Sequence, residues 1–128
     1  MIIDIKKLLT KLLVKADVPK QLDATTVKPP STGWERTYKT VSAIADYNMI
    51  GVRFIISSGS DNYIDQMLIF PRPIGNWTQS ITWNNGSTYV RGLVTLNWDT
   101  NQVGVALING DINNAYCTIQ QIYGLSHK

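Results

Sequence analysis

The sequence has very few of the residues on which most enzyme active sites depend. Its one histidine, His127, is next to last in the chain, where chain ends are usually frayed. This excludes a metal site that needs two histidines and any catalytic triad or dyad built on an ordered histidine. The one cysteine, Cys117, excludes an intramolecular disulfide and is predicted to be a small apolar residue on a strand. We therefore expect the chain to fold in a reducing cytoplasm.

The carboxylates and glycines also lack the patterns that catalytic or metal sites require. A glycosidase needs two carboxylates set across a sugar. Most of the eight aspartates adjoin turn residues, as Asp61, Asp99 and Asp111 do, and turn chemistry explains them. No glycine-rich phosphate loop is present, and residues 61–65 only faintly approach the alternating acidic pattern of a calcium loop. The sequence predicts no catalytic residues, no cofactor and no metal.

Charged residues are scarce, at 16% of the chain, whereas soluble domains typically contain about 25%. The net charge of +3 comes entirely from residues 1–20, which hold five lysines and two aspartates, so the rest of the chain is neutral. The body of the protein therefore has no basic face, and we predict no nucleic-acid partner. No apolar run is long enough to span a bilayer, and lysines interrupt the apolar N-terminal residues, which is unlike a signal peptide.

Residues 1–18 contain the one clear helical period of the sequence and are predicted to form an α-helix that Pro19 ends. An apolar stripe lies on one face and lysines cover the other; the stripe comprises Ile2, Ile5, Leu9, Leu12 and Ala16, widened by Leu8 and Leu13. The stripe is similar to a short coiled-coil seam, which favours self-association through Ile2, Ile5, Leu9 and Leu12. Alternatively, the helix packs on its own β domain or lies on a membrane surface.

Residues 19–33 are predicted to be an extended linker, because Pro19, Pro29 and Pro30 lie among Thr, Ser and Lys. In residues 34–128, short segments of alternating apolar and polar residues are separated by turn residues. Seven or eight strands at spacings of about 8–13 residues are typical of a β-sandwich or a small barrel. The last strand is predicted to end at Gly124.

The stretch from residue 79 to residue 109 is predicted to form three consecutive antiparallel strands and to be the centre of the fold. Asn85-Gly86 supplies the positive φ angles of a two-residue hairpin turn. A weaker turn is predicted at residues 99–101. Between the turns the pattern alternates, so that Trp98 shares the buried face, whereas Leu93 breaks the polar pattern of the other face.

Two of the four tryptophans are predicted to take part in binding. Trp77 lies in a polar setting, and Trp83 precedes the Asn85-Gly86 turn. An exposed indole beside amide and carboxylate groups suits a sugar, because the ring covers the apolar sugar face while its neighbours hydrogen-bond the hydroxyls. Trp77, Trp83, Asn85 and Asp61 are therefore the candidate sugar-binding residues. The alternative is that both tryptophans pack at a sheet edge or a subunit interface.

Three segments carry a resemblance to a known family: MIIDIKKLLTKLLVKADV, SAIADYNMIGVRFIISSG leading into MLIFP, and the closing CTIQQIYGLSHK. In layout the chain resembles small receptor-binding, tail-fibre or baseplate proteins of bacteriophages, although it has no fibrous shaft between helix and head. The resemblance implies a homotrimer in the virion, attached to other virion proteins through its N-terminal part. It also implies a jelly-roll-like antiparallel β-sandwich head that binds host surface carbohydrate.

The sequence thus predicts a mainly β, non-enzymatic protein with a short N-terminal α-helix. The resemblance implies that it is a phage structural protein, which forms a homotrimer and adheres to a host glycan. In such a trimer, contacts between subunits would bury Ile55 and Leu93, which otherwise point outward. One alternative is a stand-alone bacterial lectin-like module, which would be a monomer or dimer. Another is a membrane-surface protein that uses its lysine-faced helix.

Overall fold

The computed structural model describes residues 18–59 and 62–128, which form eight strands and two short 3-10 helices. The helices are Ser42–Asp46 and Arg72–Ile74. The strands are β1 (Lys20–Asp23), β2 (Thr37–Thr40), β3 (Tyr47–Ser57), β4 (Ile64–Pro71), β5 (Trp77–Asn84), β6 (Tyr89–Asn97), β7 (Gln102–Asn109) and β8 (Tyr116–His127). The mainly β prediction is confirmed. The predicted helix at residues 1–18 falls almost entirely outside the described residues.

The strands form two antiparallel four-stranded sheets. The front sheet has the order β1-β8-β3-β4, and the back sheet has the order β2-β7-β6-β5. The predicted three-strand meander is confirmed as β5-β6-β7. A jelly roll contains two Greek keys. In the sheets of the described residues, β3 lies beside β4, and β5, β6 and β7 lie side by side in chain order. Three other pairs of neighbouring strands are distant in sequence: β1–β8, β2–β7 and β3–β8.

The core lies between the two sheets, because each strand turns its apolar alternate residues inward. The front sheet contributes fully buried side chains that include Phe54 and Ile56, and the back sheet contributes Leu96 and Leu107. The sheets approach each other closely at Gly92, where an added Cβ would lie 2.9 Å from Phe54 Cζ. The predicted burial of Trp98 is confirmed.

The segment 19–33, predicted to be a linker, is corrected by the structure because part of it belongs to the front sheet. Strand β1 pairs with β8, and Leu22 packs against the core. Val27 is buried and exchanges two backbone hydrogen bonds with Ile119, at 2.9 and 3.0 Å. Prolines and threonines are compatible with this position because an edge strand needs only half of its backbone groups paired.

The predicted end of the last strand at Gly124 is wrong, because β8 continues to His127. Gly124 provides space instead of a turn: a Cβ at this position would overlap the ring of the buried Tyr47. His127 is also not frayed, since it pairs with Tyr47 in the β3–β8 ladder and stacks on its ring at a centroid distance of 4.3 Å.

Two further expectations about the strands need correction. Leu93 does not need a neighbouring subunit for burial, because it is already buried within one chain, opposite Ala106 of β7; Ile55 is half-buried. The turn at Asn85-Gly86 is longer than two residues, since β5 and β6 are joined by residues 85–88 and only Gly86 has a positive φ. The turn before β7 contains Asn101 at φ 55°, a conformation that asparagine tolerates.

Candidate functional site

One end of the molecule gathers several loops, and a cavity of about 320 Å³ lies there against the β7–β8 loop. We call this end the loop end; it comprises residues 28–29, 57–59, 62–63, 84–88 and 110–116. Contacts link these loops: Trp83 Nε1 donates a 2.6 Å hydrogen bond to the carbonyl oxygen of Asn62, and the Tyr63 and Tyr116 rings meet edge to face. The cavity lies beside them and is lined by Lys28, Pro29, Ile112, Asn113, Asn114, Ala115, Tyr116, Cys117 and Thr118.

The loop between β7 and β8 is held in shape by Asp111. Its carboxylate accepts hydrogen bonds from the backbone N–H of Asn113 at 3.0 Å and from the side-chain amide of Asn114 at 2.7 Å. Its carbonyl oxygen accepts from the backbone N–H groups of Asn114 and Ala115. Such an Asx turn orders the loop before any ligand arrives, which reduces the entropy lost on binding.

The aromatic part of the site is the pair Tyr63 and Tyr116. Their ring centroids are 5.3 Å apart with an interplanar angle of 72°, a favourable edge-to-face geometry. The two residues are 50% and 45% exposed, so that each ring keeps surface in contact with solvent. Ring surface next to polar loops is an arrangement that can cover the apolar face of a sugar.

The polar part of the site comes from amides and one cation. The side-chain amide of Asn113 makes no hydrogen bond to any residue that the structure describes, and it therefore offers both donors and an acceptor. Lys28 is the charged residue among the lining side chains. These groups can hydrogen-bond hydroxyls but include no pair of carboxylates and no nucleophile with a base beside it.

Cys117 lies among the residues that line the cavity, but its thiol is buried and is not activated as a nucleophile. The sulfur is 3.6 Å from the carbonyl oxygen of Ala106, to which it donates a weak hydrogen bond. Burial raises the pKa of the thiol from 9.0 to about 12, because a thiolate would lose its hydration. The predicted position of Cys117, as a small apolar residue on a strand, is confirmed.

The raised thiol pKa predicts a pH-dependent difference between the natural chain and the Cys117→Ala variant. Below pH about 9 the thiol is protonated in both the folded and the unfolded state, so its stabilising contribution is fully present. As the pH rises towards 12, only the unfolded state ionises, and this contribution is lost. Urea unfolding measures the free energy of unfolding of both proteins at pH 8 and pH 10.5. The difference between the two proteins should be smaller at pH 10.5, and the same difference at both pH values would contradict this prediction.

The structure does not bring the two predicted sugar-binding tryptophans together. Trp83 is only 4% exposed, so its predicted role as an exposed sugar platform is wrong; its indole N–H is already paired with Asn62. Trp77 is 40% exposed at the opposite end of β5, about 20 Å away along the strand, and contacts the Phe70 ring edge to face. The two indoles therefore cannot bind one sugar ring together.

The other two candidates differ in what can be said of them. Asn85 is exposed, but its side-chain oxygen accepts hydrogen bonds from the backbone N–H groups of Ser87 and Thr88, at 3.1 and 2.8 Å. This oxygen therefore holds the β5–β6 turn. Asp61 lies outside the described residues.

Sequence reasoning missed the cavity residues Lys28 and Tyr116, and also Tyr63, whose ring contacts that of Tyr116. Lys28, Tyr63 and Tyr116 are far apart in the chain and belong to segments interpreted as linker and strand. An aromatic residue, Tyr116, follows soon after the polar run Asn113-Asn114, and this was the one local signal available. Pairing of β8 with β3, which places Tyr116 opposite Ser57, brings these groups to the loop end.

Within residues 18–59 and 62–128, no group of three or more His, Cys, Asp or Glu side chains is arranged to hold a metal ion. In the same part of the chain, no helix has the length and apolar character needed to cross a membrane. The chain matches no protein-family model, and the search of curated proteins also found no match.

Proposed function

We propose that this protein is a non-enzymatic adhesion protein of the phage receptor-binding type, in which the loop end binds host surface carbohydrate. The observation that carries the proposal is the distance between the loop end and the start of β1. Lys20 of β1 pairs with Gly124, whereas the cavity is lined by Tyr116 at the other end of β8. Leu125 lies nine positions after Tyr116 on the strand, which corresponds to about 30 Å.

This polarity suits an adhesin because attachment and recognition then use opposite ends of one rigid body. Strand β1 begins at one end, and the ordered loops present aromatic and amide groups at the other. Strands buried on their inner faces connect the two ends, so that the loops are held by a rigid scaffold. Sugars are bound by aromatic surface combined with hydrogen-bonding amides, and the cavity offers both.

The proposal is tested by screening the full chain against an array of bacterial cell-surface polysaccharides and common oligosaccharides. We expect Tyr116→Ala to weaken binding to the best glycan at least tenfold, since stacking on one ring contributes about 1.5 kcal/mol. The matched control is Trp77→Ala, which removes an aromatic residue of similar exposure at the opposite end of the molecule. Thermal melting of both variants checks that they are folded.

The outcomes of the array experiment separate the two candidate sites. Loss of binding in Tyr116→Ala alone supports the loop end. Loss of binding in Trp77→Ala alone would place the sugar site at Trp77, as the sequence predicted. If the chain binds no glycan, the carbohydrate proposal is overturned. The homotrimer and the virion location are parts of the same proposal, and light scattering on the full chain separates a trimer from the monomer or dimer expected of a lectin-like module.

A further inference from the structure

The outer face of the front sheet has an apolar half that solvent reaches. It includes Met49, Gly51, Met67, Ile69 and Leu125 on the three adjacent strands β8, β3 and β4, and Tyr123 of β8 lies on the same face opposite Gly51. Met67 and Ile69 are 40% and 39% exposed. The Met67 and Leu125 side chains meet over Gly51, where an added Cβ would lie 2.7 Å from Met67 Sδ and 3.1 Å from Leu125 Cδ1.

The other half of the same face is polar and marks the limit of the apolar half. Arg53 makes an ion pair with Asp65 at 2.6 Å and a hydrogen bond with Gln121 at 3.1 Å. The side-chain hydrogen bond from Arg53 lowers the pKa of Asp65. Ile55, opposite Asp65, is a half-buried apolar residue in this polar half. A solvated face of an antiparallel sheet is normally polar, so that the cluster of apolar side chains in the other half requires a separate explanation.

Residues 1–17 join the molecule directly beside this apolar half. Strand β1 is the edge strand next to β8, and Lys20 pairs with Gly124, the neighbour of Leu125. Only three residues, 17–19, separate β1 from the apolar stripe whose last member is Ala16. Val18, within this short connection, is largely exposed.

We propose that the apolar stripe of residues 2–16 packs on the apolar half of the front sheet of its own chain. As a helix these residues would be about 22 Å long. Leu9 would lie about 10 Å from Ala16 along the helix axis. Ile69 lies two strands from Leu125, which is also about 10 Å. The stripe therefore reaches across β8 and β3 to β4, while the lysines of the opposite helix face point to solvent.

The short connection favours the chain's own segment over that of a second copy. A segment tethered by three residues is present at an effective concentration in the millimolar range or above, whereas a second copy is present only at the solution concentration. Docking uses the stripe that would otherwise form a coiled-coil seam between subunits. It leaves the loop end free, so this inference is independent of the glycan site.

The inference is tested with two double variants of the full chain, in which the buried Cys117 thiol remains unreactive. The first variant combines Leu9→Cys with Ile69→Cys. The matched control combines Leu9→Cys with Thr82→Cys, an exposed position on the back sheet. A disulfide requires Cα atoms within about 7 Å, so air oxidation should close the first pair at least tenfold faster than the control pair. The product should be a monomer on a non-reducing gel.

Three results would overturn this inference: a cross-linked dimer, which assigns the stripe to a second copy; equal rates for the two pairs; or no cross-link in a protein that melts normally. A second measurement avoids introduced cysteines. Leu12→Asp should raise the rate at which peroxide oxidises Met67 several-fold, whereas Lys11→Asp, which introduces the same side chain on the polar face, should leave it unchanged. Equal rates in these two variants would contradict docking as well.

Discussion

Replacing Arg72 by alanine is expected to lower the free energy of unfolding by about 3 kcal/mol, since each lost hydrogen bond to a charged donor costs about 1.5–3 kcal/mol. The Arg72 guanidinium donates to the carbonyl oxygen of Tyr47 at 2.9 and 2.6 Å and to that of Ile44 at 3.1 Å. It also lies 4.2 Å from the centre of the Trp98 ring. One side chain thus connects the 3-10 helix Ser42–Asp46 and the start of β3 with Trp98, which is buried in the turn that follows β6.

Urea denaturation of Arg72→Ala measures this loss, and Arg53→Ala is the control. Arg53 also makes an ion pair, but with Asp65 on the exposed outer face of the front sheet, where solvent screens the interaction. We expect Arg53→Ala to change the unfolding free energy far less. Arg72→Lys should recover little of the loss, since an ammonium cannot donate along the directions of the guanidinium fork. Equal effects of Arg72→Ala and Arg53→Ala would refute the anchoring role of Arg72.

Gly124→Ala should destabilise the protein by on the order of 3 kcal/mol, at the upper end of the usual range for overpacking. The new methyl group would overlap the Tyr47 ring, which is buried and stacked against His127. Since both β3 and β8 are held by their ladder, neither strand can move away without losing hydrogen bonds. Thermal or urea unfolding measures the cost.

A double-mutant cycle with Tyr47→Ala separates this overlap from a general loss of backbone freedom at Gly124. If the ring is the cause, Gly124→Ala should cost much less in the Tyr47→Ala background, because the space that the methyl group needs is then empty. The same cost in both backgrounds would mean that the contact with Tyr47 is not responsible.

The two proposals assign different surfaces to different roles. The loop end carries aromatic rings, amides and one lysine around a cavity, and is assigned to a ligand. The apolar half of the front sheet has methionine, isoleucine and leucine side chains next to the start of β1, and is assigned to residues of the same chain. Substitutions at Tyr116 and at Ile69 should therefore affect glycan binding and segment docking independently.

Strands within the central meander could be predicted because their information is local. Alternation of apolar and polar residues favours an extended conformation with one buried face, and the turn residues between segments mark where each strand begins and ends. Trp98 was assigned to the core on this basis, and the structure buries it. The same reasoning placed Cys117 as a small apolar residue on a strand, where the structure also buries it.

The errors arose where a residue is explained by a partner distant in sequence. Gly124 was interpreted as a stop signal because its role, to make room for Tyr47, depends on pairing between β3 and β8. Residues 20–23 were interpreted as linker because their strand partner is a hundred residues away. Trp83 was expected to be exposed because its hydrogen-bond partner, Asn62, lies in another loop.

By itself, the sequence determined the strand class of the fold, the meander at its centre, the burial of Trp98 and Cys117, and the concentration of positive charge in residues 1–20. These properties depend on composition and on neighbours along the chain. Only the tertiary structure decided which strands are adjacent, and therefore that Lys28, Tyr63 and Tyr116 gather at one end while β1 starts at the other. Alternation specifies which face of a strand is buried, but it carries no information about which strand lies beside it.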